Sequence, residues 1–195
     1  MTLRADLAVI ADNVAAGSRV LDVGCGDGLL LAALRDGSGC DARGMEIDGA
    51  NVAECVARGL SVIQGDADKD LAFYPDASVD YAILSQTLQT TMRPDKVLEE
   101  LLRIGRKAFV SFPNFAHWKV RTSLLWGGRM PVTRLLPIAW YETPNIHHVT
   151  VNDFRDMVKE RGIKVEQAWF LRGDQRCSAA AANFRAEHAV FLLSR

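Results

Sequence analysis

A chain of 195 residues with a 49% apolar share, 24% charged residues and a formal net charge of −1 has the composition of a soluble globular protein. That balance gives no general electrostatic case for nucleic acid or an anionic membrane. The four cysteines (Cys25, Cys40, Cys55, Cys177) form no C-x-x-C pair, so neither a zinc knuckle nor a redox dithiol is indicated, and a reducing cytoplasm is the simplest setting. The opening stretch carries Asp6 and Asp12 inside its apolar pattern, which argues against a signal peptide or a membrane span.

Leu3, Leu7, Ile10 and Val14 recur at helical spacing and Gly17 follows as a stop. Strands and helices then alternate. Residues 18–23 predict a strand, 28–37 a helix, 42–47 a second strand, 49–59 a helix, 60–64 a third strand and 78–84 a fourth. A helix over 93–105 has Pro94 in its first turn, and 107–112 predicts a fifth strand stopped by Pro113. After an irregular stretch, 150–162 predicts a helix opened by a Thr150/Asp153 capping pattern, and 163–171 and 188–193 complete about seven strands. Several strands are apolar throughout, which predicts a mostly parallel sheet covered on both faces, within one domain spanning 1–195. Ligands of such sheets bind beyond the carboxyl ends of the strands, at the switch point.

The first strand runs into the turn VLDVGCGDG, with glycines at 24, 26 and 28. A dinucleotide fingerprint reads G-x-G-x-x-G; here the third glycine arrives one residue early, and Asp22 and Asp27 accompany the turn. A phosphate about 4 Å from a carboxylate would be repelled by roughly 4 kcal/mol at an effective dielectric near 20, and a cation attracted by a similar order. The turn therefore suits a positively charged nucleoside such as S-adenosylmethionine, which has no phosphate. This disfavours a nicotinamide-dependent oxidoreductase. Glu46, at the end of the second strand and 24 residues past Asp22, is spaced to accept from both ribose hydroxyls. Asp66, in QGDAD after the third strand, can accept from the adenine amine, with Ile47 and Ala67 as walls for the ring.

These residues resemble the class I S-adenosylmethionine-dependent methyltransferases, since VLDVGCGDG, GMEID, QGDAD, SVDYAILSQTL and KAFVSFPN fall in that family's order. The resemblance implies a Rossmann-like α/β fold with seven strands in the order 3-2-1-4-5-7-6, the last antiparallel, and helices on both faces. It further implies that Asp22, Gly24, Cys25, Gly26 and Gly28 shape the amino-acid end of the pocket. Glu46 would hold the ribose, Ile47, Asp66 and Ala67 the adenine, and Ser85 with Gln86 the rim after the fourth strand. SFPNFAHWKVR, the stretch from Gly128 to Phe154 and the opening 6–28 are similar to the methionine-biosynthesis protein MetW family. That narrower resemblance implies a subunit that binds S-adenosylmethionine or S-adenosylhomocysteine and supports or regulates a homoserine O-acyltransferase of the α/β-hydrolase type.

The other reading is an active methyltransferase acting on a small molecule. The [DN]-P-P-[YF] motif is absent, and the fourth strand leads instead into Gln86 and Gln89. No catalytic residue is assigned. His117 with Tyr141 is the best general-base candidate, whereas His147, His148 and His188 read as packing residues. Leu101 to Tyr141 contains no Asp or Glu but holds seven cations, Arg134 among them, and Trp118, Trp126 and Trp140. This basic, tryptophan-rich insertion, around 115–148, reads either as a helix and loop packing its tryptophans on the sheet or as a docking surface. Trp118, Arg121, Trp126 and Arg129 would be the contacts of an acidic partner.

Overall fold

A computed structural model describes residues 3–133 and 136–195. Eight strands form one sheet: β1 (Arg19–Val23), β2 (Asp41–Glu46), β3 (Ser61–Gln64), β4 (Val79–Ser85), β5 (Gly105–Pro113), β6 (Lys164–Arg172), β7 (Gln175–Arg176) and β8 (His188–Ser194). Their order is β3-β2-β1-β4-β5-β8-β6-β7. The pairs among β1 to β5 are parallel, and β8 runs antiparallel to both β5 and β6. Seven of the strands follow the expected order. The eighth, β7, extends β6 as a two-residue hairpin arm around Gly173, whose φ is 57°. Two residues are too few to show a period, so the sequence pattern does not reveal it.

The helices are α1 (Ala5–Asn13), α2 (Leu29–Ser38), α3 (Gly49–Ala57), α4 (Pro94–Ile104), α5 (Trp118–Gly127), α6 (Val151–Glu160) and the short α7 (Ala182–Arg185). Alternation along the central strands feeds two cores, because successive side chains point to opposite faces. Leu21, Leu84, Val110, Phe112 and Phe191 join Leu98, Leu101 and Phe154 on one face. Val20, Ile83, Phe109 and Val190 join Ile10, Leu30 and Leu34 on the other. Strands buried on both sides read as continuous apolar runs, as β1, β4 and β8 do. Thr150 caps α6: its Oγ1 accepts from the Asp153 N–H at 3.1 Å and donates to Asp153 Oδ2 at 2.6 Å.

Phe112 is fully buried, with ring centroids 4.8 Å from Phe154 and 5.9 Å from Phe191. Phe112→Ala is expected to lower unfolding stability by about 3–5 kcal/mol, the usual cost of emptying an aromatic core position. Urea unfolding checks this.

The chain winds outward from β1 to β2 and β3, then returns to the other side of β1 as β4. That reversal opens a crevice where the ends of β1, β2 and β4 lie level, Val23 beside Met45 and Leu84. Between β5 and α6, residues 114–150 carry α5 and an irregular stretch; Arg134 and Leu135 of the basic segment lie outside the described residues. Among the described residues no helix is long and apolar enough to cross a membrane.

Candidate functional site

The turn between β1 and α2 demands its glycines for separate reasons. Gly24, Gly26 and Gly28 have φ of 74°, 55° and 75°, the left-handed region that glycine enters without a Cβ penalty. A Cβ on Gly24 would stand 2.4 Å from Thr87 Oγ1, and one on Gly28 would stand 2.5 Å from Leu60 Cδ1. A Cβ on Gly26 would meet nothing within 4 Å, so that side of the turn faces open space. Gly24→Ala is therefore expected to destabilise the protein by at least about 1–2 kcal/mol from left-handed strain alone. It should also displace Thr87 from the cleft wall. Chemical denaturation and ligand titration of the same variant measure the two effects.

The turn is tied to the neighbouring strand. The Gly24 and Cys25 N–H groups both donate to Met45 O, at 2.8 and 3.2 Å. Glu46 Oε2 accepts from the Gly26 N–H at 2.8 Å and its Oε1 from the Asp48 N–H at 2.9 Å. Glu46 is thus a buried carboxylate braced between the two strand ends, each oxygen keeping a lone pair for a further donor. Cys25 contributes backbone only: its thiol is buried with Leu31, Cys55 and Leu60, and burial holds it well above its ordinary pKa. Asp27 Oδ1 accepts from the Leu29 N–H at 3.3 Å, in the first turn of α2.

Val23, Gly24, Met45, Ile47, Asp66, Ala67 and Thr87 line a cavity of about 280 Å³ in the crevice. Four of the residues expected at a nucleoside site therefore share one wall. Asp66 is firmly ionised: the Lys69 ammonium 2.8 Å from its Oδ2 and the Asp68 N–H 3.0 Å from its Oδ1 hold its pKa below the ordinary carboxylate value.

Asp22 lies one residue behind that wall and is 2% exposed, with no hydrogen-bond partner for Oδ1 among the described residues. Burial raises its pKa to about 7; the Arg4 guanidinium opposes the rise, and the charges of Glu46 and Asp6 add to it. Burial therefore works against the carboxylate charge expected from sequence.

A cluster that the sequence reading missed stands at the end of β4. Asp6 Oδ2, on the buried face of α1, accepts from Ser85 Oγ at 3.1 Å, Ser111 Oγ at 2.9 Å and Gln86 Nε2 at 3.2 Å. Arg4 donates to both Asp6 oxygens and to Ser85 Oγ. Although burial opposes it, the Arg4 guanidinium and the Ser111 hydroxyl keep the Asp6 carboxyl below its ordinary pKa. Ser85 and Gln86 are thus anchored to Asp6 of the N-terminal helix. The signal was the charged pair Arg4 and Asp6 at the start of α1.

The base candidates are not brought to the cavity. His117 is buried, its Nε2 has no hydrogen-bond partner among the described residues, and burial lowers its pKa. Tyr141 is exposed and packs edge-on against Trp140. Neither residue lines the crevice cavity. His148 packs edge-on against Phe115, ring centroids 4.7 Å apart.

The tryptophans of the insertion do not pack on the sheet. Trp126 is 81% exposed, Leu125 77% and Trp140 73%, and Val120 alone among the residues of α5 is buried. Arg121 is partly committed within the chain, donating from Nε to Ala116 O at 2.6 Å and lying over the Phe184 ring, whereas Arg129 is exposed.

The sheet order, the antiparallel β8 and the glycine turn facing two strand-end acids define the Rossmann-like fold of S-adenosylmethionine-dependent methyltransferases. A methyltransferase of that type from Mesorhizobium loti aligns with a TM-score of 0.73 at 16% identity, over 98% of each chain. A chain of the complex between the Haloferax volcanii Trm112 methyltransferase activator and a putative methyltransferase aligns with a TM-score of 0.71 at 18% identity, over 97% of this chain and 88% of that one. Residues 4–193 match the family described as methionine biosynthesis protein MetW, and the chain belongs to that family. It is 35% identical over 184 residues to the bifunctional methionine biosynthesis protein MetXA/MetW of Rhodopirellula baltica, covering 90% of this chain but 30% of that relative's length.

Proposed function

We propose that this protein is a subunit that binds S-adenosylmethionine or S-adenosylhomocysteine and supports or regulates a homoserine O-acyltransferase of methionine biosynthesis. The observation that carries the ligand is the juxtaposition of Asp22, whose Oδ1 has no hydrogen-bond partner among the described residues, and braced Glu46 with a glycine turn that is open on the Cβ side of Gly26. In this reading Asp22 meets the α-ammonium and sulfonium, and Glu46 receives the ribose hydroxyls. Asp66 and Ala67 meet the adenine edge, and Ile47 covers one face of the ring. Gly24, Cys25, Gly26 and Gly28 let backbone come close to the amino-acid end. Ser85 and Gln86 hold Asp6 and Arg4 at that same end.

The partner reading draws on the relative named for both MetXA and MetW, in which a MetW-like part shares one chain with a longer remainder. It draws also on an exposed apolar helix in a segment without acidic residues, which suits an acidic, aromatic-accepting surface. Regulation requires that the adenosyl ligand bind the free and complexed forms with different affinity. The test is co-expression with a homoserine O-acyltransferase, followed by acylation assays with and without S-adenosylmethionine. Co-purification and a ligand-dependent acylation rate are expected; separate elution of the two proteins at micromolar concentration would defeat the partner reading.

A further inference from the structure

A cation stands beside the acids at the crest of the sheet. Arg4, immediately before α1, reaches the carboxyl end of β4, where its Nη2 donates to Ser85 Oγ at 3.1 Å. Thr87 Oγ1 donates to Ser85 O at 3.1 Å, and Thr87 and Gly24 both line the crevice cavity. Arg4 is therefore set two contacts from that cavity's wall, on the β4 side of the glycine turn. Its charge also reaches Asp22 on β1, where it opposes the rise in pKa that burial causes. Asp22 and Arg4 together offer one acid and one cation, the complement of a zwitterion.

The guanidinium is held in place and only partly used. Of its five N–H groups, that of Nε and one of Nη2 donate to Asp6, at 3.0 and 3.2 Å, and the other of Nη2 goes to Ser85. The two on Nη1 have no partner among the described residues, and the side chain is 53% exposed. Asp6 is itself buried and takes three further hydrogen bonds, from Ser85, Ser111 and Gln86. Such an ion pair is weak evidence for stability. What it does achieve is to fix a long side chain in advance, so that a ligand arriving at Nη1 need not order it. The glycine turn, by contrast, has few donors to spare. The N–H groups of Gly24 and Cys25 go to Met45 O, that of Gly26 to Glu46 and that of Gly28 to Cys25 O.

We infer that Arg4 Nη1 donates to the α-carboxylate of the bound nucleoside, so that the crevice selects a ligand with an intact α-amino acid. The inference rests on the adenosyl reading above and adds to it a requirement for the carboxylate. Arg4 touches the ligand directly in this account, while Asp6, Ser85 and Ser111 are positioning residues that hold the guanidinium and its partners. A nucleoside carrying only the ammonium would answer Asp22 and leave Nη1 to solvent.

The test titrates the full-length protein by calorimetry with three ligands: S-adenosylhomocysteine, its descarboxy analogue, which lacks only the carboxylate, and methylthioadenosine, which lacks the whole amino-acid part. Wild type is expected to prefer S-adenosylhomocysteine to the descarboxy analogue by at least about tenfold, the scale of one charged hydrogen bond. Arg4→Gln should bring that preference to within about threefold and leave methylthioadenosine affinity within about twofold of wild type. The single variant strands the buried Asp6 charge; if it folds poorly, Arg4→Gln combined with Asp6→Asn removes both members of the pair and should give the same result. Equal wild-type affinity for the first two ligands would overturn the inference, as would a carboxylate preference that survives in a folded Arg4 variant. So would a loss of methylthioadenosine binding in step with that of S-adenosylhomocysteine, which would give Arg4 a general structural role. Methylthioadenosine binding without any carboxylate preference sinks this inference alone, whereas failure of all three ligands to bind sinks the adenosyl reading with it.

Discussion

Asp22→Asn is expected to weaken S-adenosylmethionine binding by about 10- to 100-fold, the scale of one charged hydrogen bond. The same substitution should stabilise the unliganded protein at pH 8. Its folded-state pKa is raised from 3.8 to about 7, so the folded chain holds this proton more tightly than the unfolded chain does. The contribution of Asp22 to stability is therefore most favourable below pH 4 and is lost as pH rises from there through 7. Asparagine carries no such charge, so thermal unfolding should favour the variant by several degrees at pH 8, and the difference should shrink towards pH 4. Binding has the opposite slope. A cationic ligand selects the ionised carboxyl, so wild-type affinity should climb as pH rises towards 7 and level off above it. A variant that binds normally, or one less stable than wild type at pH 8, would show that Asp22 serves packing alone.

The second large effect concerns α5. Replacing Leu125 and Trp126 together with alanine should weaken association with the acyltransferase at least about 30-fold, since a single hot spot is worth about 2 kcal/mol or more. Both side chains are exposed, so thermal unfolding should move by no more than about a degree. This pair is a cleaner probe than Trp118 with Arg121. The Arg121 guanidinium donates to Ala116 O and covers Phe184, so its removal also loosens the start of the helix. Unchanged association, measured by calorimetry or sedimentation, would move the partner surface off α5.

The parts of the molecule that were readable from sequence are those whose physics is local. β1, β4 and β8 declare themselves as apolar runs between turn residues, α4 by the spacing of Val97, Leu98, Leu101 and Leu102, and α6 by its Thr150 cap. Gly24 and Gly28 could be marked as special, although their distinct neighbours, Thr87 and Leu60, come from distant elements. What remained hidden depends on long-range closure. Asp6 meets Ser111 across 105 positions, and no local period announces that contact. Composition places tryptophan inside on average, yet with Val120 its only buried residue, α5 leaves Trp126 in solvent. The protonation state of Asp22 was hidden for a related reason, since burial is a property of the assembled sheet.

Everything proposed for the crevice depends on its preference for a sulfonium-bearing nucleoside over a diphosphate. Calorimetric titration of the wild-type protein at pH 8 with S-adenosylmethionine, S-adenosylhomocysteine and NAD⁺ tests this most directly. Saturable binding of an adenosyl ligand at one site per chain, with no heat from the dinucleotide, is the predicted result. Tighter uptake of NAD⁺, or no binding of either adenosyl ligand, would contradict it.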